Sequence, residues 1–383
     1  MPRCRLIDAR TMPVYDLGVD HPFARDRQRP LFELMERHQL FDSDELLRPE
    51  PADDQVLQLA HDPAYIDAVR ALSADPPSRE ALSLAPSFGL GTADNPVAPG
   101  QHDAGRAIAG ATWACVDEVM AGRARHAFNS TGGLHHAFRG QASGFCIYND
   151  LVIGIRHGRQ LGAERVLYVD FDVHHGDGVE HAFRDDASVM TISFHEDPDV
   201  RFPGTGRISD LGGPQARGAA INLPLASFTA DASWLEVVRA VLPERARQFR
   251  PDLIVSQHGC DPHRDDPLAE LHLTTSPMHE AARLTQELAD ELCDGRWVAT
   301  GGGGYQPIHV IPRVWSGVWA VMSGRQLPEA VDGEWIADWQ PRAPVTLSTT
   351  FADPAFDHPA HRAAADRNAH TVTSLLALLE PER

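Results

Sequence analysis

The amino-acid sequence predicts one α/β domain with a central parallel sheet flanked by helices. Short apolar segments typical of buried strands recur along the chain, and amphipathic segments of helical length separate several of them. Strands that alternate with helices pair in parallel, and helices then cover both faces of the sheet. In open parallel sheets ligands bind beyond the carboxyl ends of the strands, so a functional site is expected at that edge.

Seven segments are predicted as strands and four as helices. The strand segments read CRLIDA, RHAFNS, RVLYVDFD, SVMTISFH, AAINLPL, DLIVSQHG and RWVATGGG, and the helical segments span 103–121, 148–160, 232–248 and 276–293. Residues 75–101 are rich in Pro, Gly and Ser, which predicts a long surface loop. The segment TVTSLLALLEPE, which begins at Thr371, predicts a last helix.

Composition excludes several classes of protein. The chain has 383 residues, of which 43% are hydrophobic and 23% charged, so it can bury a large core. A formal net charge of -20 argues against a nucleic-acid partner. Five scattered cysteines without a CxxC pair favour a reducing cytoplasm, and neither a secretory signal nor a membrane-spanning apolar run is found. All 34 basic residues are arginine, so the chain carries no lysine.

Acidic residues and histidines follow two of the predicted strands. In YVDFDVHHGDG, Asp170, Asp172 and His174 share one face of an extended chain, because alternate residues point to the same side. A carboxylate and an imidazole at this spacing can bind one divalent ion, although they could instead cap the following helix. Asp261 of QHGCD comes to the same edge. Two oxygen donors and one nitrogen donor would leave a position open for water, as in catalytic zinc or ferrous sites.

Other ligands compete at the second of these strands, and the sequence leaves the choice open. His258, Cys260 and His263 all lie close to Asp261 in the chain.

Two further strand ends carry a histidine pair and a tyrosine. His135 and His136 follow a Gly-Gly turn and could be ligands or proton carriers, with Asp170 and Asp177 as carboxylates that fix their tautomers. GGGGY lacks the Lys and Ser/Thr of a phosphate-binding P-loop, so its glycines are expected to fold the backbone tightly beside a ligand. Tyr305 could then donate a hydrogen bond to a developing oxyanion.

Six motifs, GGLHHAF, SGFCIYND, YVDFDVHHGDG, FPGTG, QHGCD and GGGGY, resemble in this order the zinc-dependent histone deacetylase family. The resemblance covers roughly residues 5–325, and QHGCDPHRDDPLAEL and GGGGYQPIHVIPRVW look most like the bacterial acetoin-utilization deacetylases. It implies an arginase/deacetylase-like catalytic domain over residues 1–325. A C-terminal helical extension over 326–383 is expected to pack on the same domain.

The resemblance also implies a metal ion and the residues that act beside it. The ion would be Zn²⁺, with Fe²⁺ as the alternative. The general base and acid would be His136 supported by Asp177, the second histidine would be His135 held by Asp170, and Tyr305 would polarise the acetyl carbonyl. The metal ligands would be Asp172, His174 and Asp261.

Further residues are implied around the substrate and at a second ion. The substrate residues would be Gly144, Phe145, Phe202, Gly303 and, at the rim, Asp94, where the loop spacing differs by one residue from the family pattern. Arg27 would lie near an inner channel for acetate. A structural potassium site would fall on Asp170, Asp172, His174, Ser193 and Phe194, partly through backbone oxygens.

The activity implied is metal-dependent hydrolysis of acetyl-lysine amides in the cytoplasm. The partner would be an acetylated protein or peptide, such as an acetyl-CoA synthetase linked to acetoin catabolism, and neither nucleic acid nor a membrane is expected. One alternative is an acetylpolyamine or other small-molecule amidohydrolase, and another is an inactive acyl-lysine binding protein. A binuclear manganese hydrolase of the arginase type would need more bridging carboxylates than DFDVHH offers. His175 is given no role.

Overall fold

Eight strands form one sheet in the computed structural model, which describes residues 4–380. The strands are β1 (Cys4–Ile7), β2 (Leu46–Leu47), β3 (His126–Asn129), β4 (Val166–Asp170), β5 (Val189–Glu196), β6 (Ala220–Leu225), β7 (Leu253–Gln257) and β8 (Trp297–Thr300). Their order across the sheet is β2-β1-β3-β8-β7-β4-β5-β6, and every neighbouring pair is parallel. The predicted single α/β domain with a central parallel sheet is therefore confirmed.

Each of the seven predicted strand segments contains or overlaps one observed strand. The strand that was not predicted from the sequence is β2, which is two residues long and pairs with β1 at the edge of the sheet. Two residues cannot display the alternation that identifies a strand, so its position depends on tertiary pairing alone.

Helices cover both faces of the sheet. The bounds of the four predicted helices agree within two residues with observed helices at Gln101–Met120, Asp150–Gln160, Asp231–Phe249 and Thr275–Leu292. The prediction of a long surface loop over 75–101 is wrong in part, because a helix (Arg79–Leu84) and a 3-10 helix (Ala85–Phe88) lie within it. Ser78 caps the first of these helices through the Ala81 N–H. The helices are α1 (Gln28–Arg37), α2 (Asp54–Leu57), α3 (Pro63–Leu72), α4 (Arg79–Leu84), α5 (Gln101–Met120), α6 (Asp150–Gln160), α7 (Asp177–Phe183), α8 (Asp231–Phe249), α9 (Thr275–Leu292), α10 (Ile311–Ser323), α11 (Gly333–Trp339) and α12 (His361–Leu379).

The core lies on both faces of the sheet because the central strands are buried at every position and mostly apolar. In β4, Leu167 and Val169 belong to the core that includes Trp234 of α8, whereas Val166 and Tyr168 belong to the core on the opposite face. Burial of each such side chain contributes on the order of 1.5 to 3 kcal/mol to folding. The large apolar surface on both faces fixes the central strands, and with them the loops that follow.

The C-terminal region packs on the same sheet. Helix α12 contacts α8 and β6, and buried Asn368 accepts the Ala226 N–H and donates to the Thr229 and Ser233 hydroxyls. The helix begins at His361, ten residues before the predicted segment, and the last residues of that segment, 381 and 382, lie outside the described residues. The boundary at residue 325 stays a prediction. Within residues 4–380, no helix combines the length and apolar character needed to span a bilayer.

Candidate active site

Four loops meet at the carboxyl ends of β3, β8, β7 and β4, which are consecutive in the sheet. The loop after β3 carries His135 and His136, and the loop after β4 carries Asp172 and His174. The loops after β7 and β8 carry Asp261 and Tyr305, respectively. Residues that lie far apart in the sequence are therefore adjacent because their strands are neighbours.

Asp172, His174 and Asp261 form a group whose ligand atoms all lie within 4.8 Å of one another, and all three side chains are buried. The His174 Nδ1 atom is 3.0 Å from Asp172 Oδ1 and 3.1 Å from Asp261 Oδ2. Two buried carboxylates that face one imidazole raise the pKa of His174 to about 10 against the effect of burial, which lowers it. This excess of negative charge around a nitrogen donor fits a divalent cation.

The three competing ligands near Asp261 lie elsewhere. His258 Nε2 pairs with the Ser256 hydroxyl, and His263 Nε2 pairs with Asp353 Oδ2. Cys260 is fully buried in the apolar core.

The second oxygen of Asp172 is held by two donors from neighbouring loops. Asp172 Oδ2 accepts the Gln257 side-chain amide at 2.6 Å and the Gly303 N–H at 2.7 Å. These bonds leave Oδ1 to face His174. They fix the orientation of the carboxylate, as hydrogen bonds from neighbouring groups orient the ligands of metal sites. A Cβ at Gly303 would lie 2.0 Å from Asp261 Oδ2, so only glycine fits beside the two carboxylates.

The histidine pair forms two separate hydrogen-bonded relays. His135 Nδ1 is 2.8 Å from Asp170 Oδ2, and His136 Nδ1 is 2.6 Å from Asp177 Oδ1. The two Nε2 atoms lie 3.0 Å apart, so one ring donates to the other.

The two imidazoles have opposite pKa shifts. Burial lowers the pKa of His135, but the charges of Asp170 and Asp172 outweigh it and raise this pKa to about 9. Burial and the charge on His135 lower the pKa of His136 to about 4. At neutral pH His136 is therefore a neutral imidazole whose proton lies on Nδ1, facing Asp177, while its Nε2 carries the lone pair.

A cavity of about 200 Å³ opens onto these groups. Its walls include Phe145 and Phe202, Asp94 lies at its exposed rim, and His136, His174 and Tyr305 line it. Gly144 lies so close to the histidine pair that a Cβ there would be 2.4 Å from His136 Cδ2. The structure thus brings all five substrate residues predicted from the sequence to the cavity or to the metal group at its base.

Tyr305 is positioned by its backbone. Its N–H donates to Asp266 Oδ2 at 2.8 Å, and its ring meets Phe145 edge to face at 5.8 Å between centroids. Burial, together with the charges of Asp261 and Asp172, raises the pKa of the Tyr305 hydroxyl well above its ordinary value. The phenol therefore stays protonated and can act as a hydrogen-bond donor.

Arg27 lines a second cavity of about 450 Å³, the inner cavity, whose walls come from residues between Ala9 and Glu36 together with Ile108 and Thr131. Its side chain is buried, donates to the Gly302 carbonyl at 2.9 Å and lies 3.9 Å from the Phe23 ring centroid. Among residues 4–380, the second terminal nitrogen of this guanidinium has no hydrogen-bond partner.

Three residues of the predicted potassium site, Asp170, Ser193 and Phe194, lie on the adjacent strands β4 and β5, and the other two lie in the loop after β4. Asp170 and Ser193 are paired in register between β4 and β5, and Asp170 Oδ1 accepts the Asp172 N–H at 3.1 Å. The Phe194 side chain stacks on Phe171 in the core, which leaves its backbone as the contribution to an ion site.

His175 has a structural position. Its ring joins the Thr205 hydroxyl at 2.8 Å to Glu180 Oε2 at 3.0 Å.

Sequence reasoning missed the residues that hold the histidine loop. Asn149 caps α6 through the Val152 N–H and donates to the His135 and Ala137 carbonyls. The Asp150 carboxylate accepts the N–H groups of Gly133 and Leu134, at the end of the Gly-Gly turn. An Asn before an amphipathic segment is a signal for a helix cap. Nothing in the linear pattern indicates its bonds to the preceding loop.

We expect Asn149→Ala to lower the free energy of unfolding by about 1 to 3 kcal/mol, because it removes a helix cap and leaves two buried carbonyls unpaired. Chemical denaturation followed by tryptophan fluorescence measures this change. Asp53→Ala is the matched control, since exposed Asp53 caps α2 through a single bond to the Val56 N–H. An equal loss in both variants would contradict the role given to the loop contacts.

Comparisons with known proteins agree with this geometry. Residues 21–322 match the Histone deacetylase domain. The chain is 41% identical over 373 residues to the acetoin utilization protein AcuC of Bacillus subtilis (strain 168), covering 96% of this chain and 95% of that protein. It is 34% identical over 340 residues to AcuC of Staphylococcus xylosus, covering 88% of each.

Solved structures show the same fold. A crystal structure of an HDAC homolog complexed with SAHA superposes with a TM-score of 0.85 at 27% identity, covering 97% of this chain and 99% of that one. An HDAC homolog from Aquifex aeolicus gives a TM-score of 0.83 at 26% identity, covering 96% of this chain and 99% of that one. These likenesses confirm the resemblance, including its bacterial acetoin-utilization branch, and the chain belongs to the histone deacetylase family of hydrolases.

Proposed function

We propose that this protein hydrolyses acetyl-lysine amides with the aid of one divalent metal ion, Zn²⁺ or Fe²⁺. The observation that carries the proposal is the convergence on one cavity of a neutral imidazole, a protonated phenol and a group of three metal-binding side chains. Amide hydrolysis needs a base for water, a donor for the oxyanion and an electrophile for the carbonyl, and these groups provide all three.

The ion would be held by Asp172, His174 and Asp261, with Gln257 and Gly303 orienting the first of these carboxylates. When bound, it supplies Lewis acidity that polarises the amide carbonyl and lowers the pKa of water. Among residues 4–380, these three side chains form the only such group of His, Cys, Asp or Glu in the candidate active site. That count favours one metal over the two of an arginase-type hydrolase.

His136 moves the proton in the proposed reaction. Its Nε2 takes a proton from water as the new C–O bond forms, and it returns a proton to the amine nitrogen as the C–N bond breaks. Asp177 keeps the other proton on Nδ1, so Nε2, which lies 3.0 Å from His135 Nε2, carries the lone pair that accepts the proton. His135, held positive by Asp170, stabilises negative charge in the site.

The shape of the cavity favours a long apolar stem that ends in an amide. Phe145 and Phe202 would pack on the methylenes of an acetyl-lysine and exclude water. Gly144 and Gly303, which lack side chains, would leave room for the substrate. Asp94 would hold the substrate backbone at the rim. The net charge of -20 attracts basic peptides and polyamines alike. We propose acetylated metabolic enzymes such as an acetyl-CoA synthetase as substrates, in keeping with the name of the acetoin utilization relatives.

Two further roles belong to the proposal. The unpaired guanidinium nitrogen of Arg27 would receive the acetate product in the inner cavity. Asp170, Asp172, His174, Ser193 and Phe194 would bind a structural K⁺ between β4 and β5. The five cysteines are all buried and are scattered along the sequence without a CxxC pair, which suits an enzyme of the reducing cytoplasm.

The test compares turnover of acetyl-lysine peptides and acetylated polyamines by the purified enzyme, with acetate release as the readout. A higher kcat/KM for the peptides is the expected result, and a preference for the polyamines would replace the substrate class while keeping the chemistry. Absence of turnover on every acyl amide, with metal bound, would favour an acyl-lysine binding protein. Unchanged lysine acetylation in the proteome of a deletion strain would also tell against a protein substrate.

We expect Tyr305→Phe to lower kcat by roughly 10² to 10³, because it removes one donor to the oxyanion and leaves the ring in place. Metal content should not change, since Tyr305 lies outside the group of ligands. Steady-state kinetics together with metal analysis measure both quantities. Full activity in this variant would refute the role of the phenol.

A further inference from the structure

A group of three histidines lies outside the active site. His272, His358 and His361 each offer a ring nitrogen, and these atoms all lie within 4.8 Å of one another. His272 belongs to the loop between β7 and α9, whereas His358 and His361 precede and begin α12. The three side chains are half-buried. We propose that they form a second metal site, which binds Zn²⁺ or a similar imidazole-preferring transition-metal ion.

The spacing of the donors fits a tetrahedral ion. His272 Nδ1 and His361 Nε2 are 3.2 Å apart. Zinc–nitrogen bonds of about 2.0 to 2.1 Å in a tetrahedral site separate the nitrogens by about 3.3 to 3.4 Å. The ring centroid of His358 lies 5.2 Å from that of His272 and 5.7 Å from that of His361, so the third ring is within reach of the same ion. Three imidazoles leave a fourth position for water.

Aromatic rings hold the three ligands in place. Phe228 stacks on His358 with 5.2 Å between centroids, and Phe356 meets His272 and His361 edge to face at 5.4 Å and 5.5 Å. Such packing restricts the rotamers of the ligand rings before an ion binds, which lowers the entropy cost of binding. Arg264 adds a positive charge beside Phe356, and Asp357 and Glu270 add negative charges, so the local balance admits a cation.

The tautomers of two rings must change on binding. The Nδ1 atoms of His358 and His361 each accept a backbone N–H at 3.2 Å, which leaves the Nε2 atoms as ion ligands. A neutral ring that binds through Nε2 carries its proton on Nδ1, so these two hydrogen bonds, at the long end of the usual range, are given up. For the Nδ1 proton of His361 an acceptor lies nearby, because Asp357 Oδ1 is 3.8 Å from that nitrogen. Carboxylates commonly accept this second proton of a ligand histidine.

An ion here would join the C-terminal region to a loop of the active site. The loop with His272 also carries Leu268, which lines the substrate cavity, and Asp266, which accepts the Tyr305 N–H. The site would therefore stabilise the folded arrangement of both segments, since metal binding free energy adds to folding free energy.

Zinc content after equilibrium dialysis tests this proposal. We expect two equivalents in the parent protein and one in His358→Gln/His361→Gln. His370→Gln, which alters an exposed histidine of the same helix, should keep two. One equivalent in the parent, or equal content in the parent and the double variant, would overturn the second site.

A spectroscopic measurement distinguishes this site from the catalytic one. It also tests the proposal without the double variant, so poor folding of that variant would not affect the result. In Asp261→Asn loaded with one equivalent of zinc, X-ray absorption should show several imidazole ligands on the ion, as three histidines would give. A signal with a single imidazole would instead place the ion with His174 and refute the proposal. The single variant His272→Gln should lose the multiple-imidazole signal.

Discussion

Asp261→Asn is expected to hold one equivalent of metal less than the parent and to lose measurable amide hydrolysis. The substitution keeps an acceptor for the Val173 N–H, which now bonds to Asp261 Oδ1 at 3.1 Å, so the loop should retain its fold. It removes one of the two buried charges that face His174. A buried cation with fewer compensating charges binds more weakly, and the proposed chemistry requires the ion.

Metal analysis and acetyl-lysine peptide hydrolysis should be measured on the same preparations. Asp265→Asn is the matched control, because Asp265 lies on the same loop and pairs with His309 outside the metal group. Asp265→Asn should keep both metal and activity. Full activity and full metal content in Asp261→Asn would exclude Asp261 as a ligand.

His136→Ala is expected to lower kcat by roughly 10² to 10⁴ while leaving the metal in place. The loss follows from the removal of the base that takes the water's proton and the acid that protonates the amine. His136 belongs to the relay with Asp177 and not to the metal group, so the ion should remain.

The control for this variant is His181→Ala, which removes an exposed imidazole from α7 and should leave kcat unchanged. Loss of bound metal in His136→Ala would make His136 a ligand. Unchanged turnover would assign the proton transfer to His135.

The sequence could predict the sheet and the chemistry at its edge because both are local patterns. Each side chain proposed as catalytic follows a predicted strand, and parallel strands place their carboxyl ends together. The pairing of Asp172 with His174 follows from the two-residue period of an extended chain. Even the separation of the histidine relays could be anticipated, since Asp170 and Asp177 were the nearest spare carboxylates.

The remaining features depend on contacts that no local pattern encodes. Strand β2 is fixed by pairing alone, and the α4 segment forms in a region whose composition indicates a loop. Gln257 and Asn149 look like ordinary polar residues at the ends of elements, yet they orient Asp172 and the histidine loop. The three-histidine group joins His272 to two residues that lie 86 and 89 positions further along the chain, and they meet only through the packing of the C-terminal region.

The position of β3, β8, β7 and β4 inside the sheet has a consequence for motion. Backbone amides of these strands are flanked by strands on both edges and by buried cores on both faces, so their hydrogen exchange should require the largest opening of the molecule. Phe202 and Asp94 lie instead on exposed loops, where opening is local and costs little. We therefore expect the proposed catalytic groups to be attached to the slowest-exchanging part of the fold, and the entrance to adjust to different acylated chains without disturbing them.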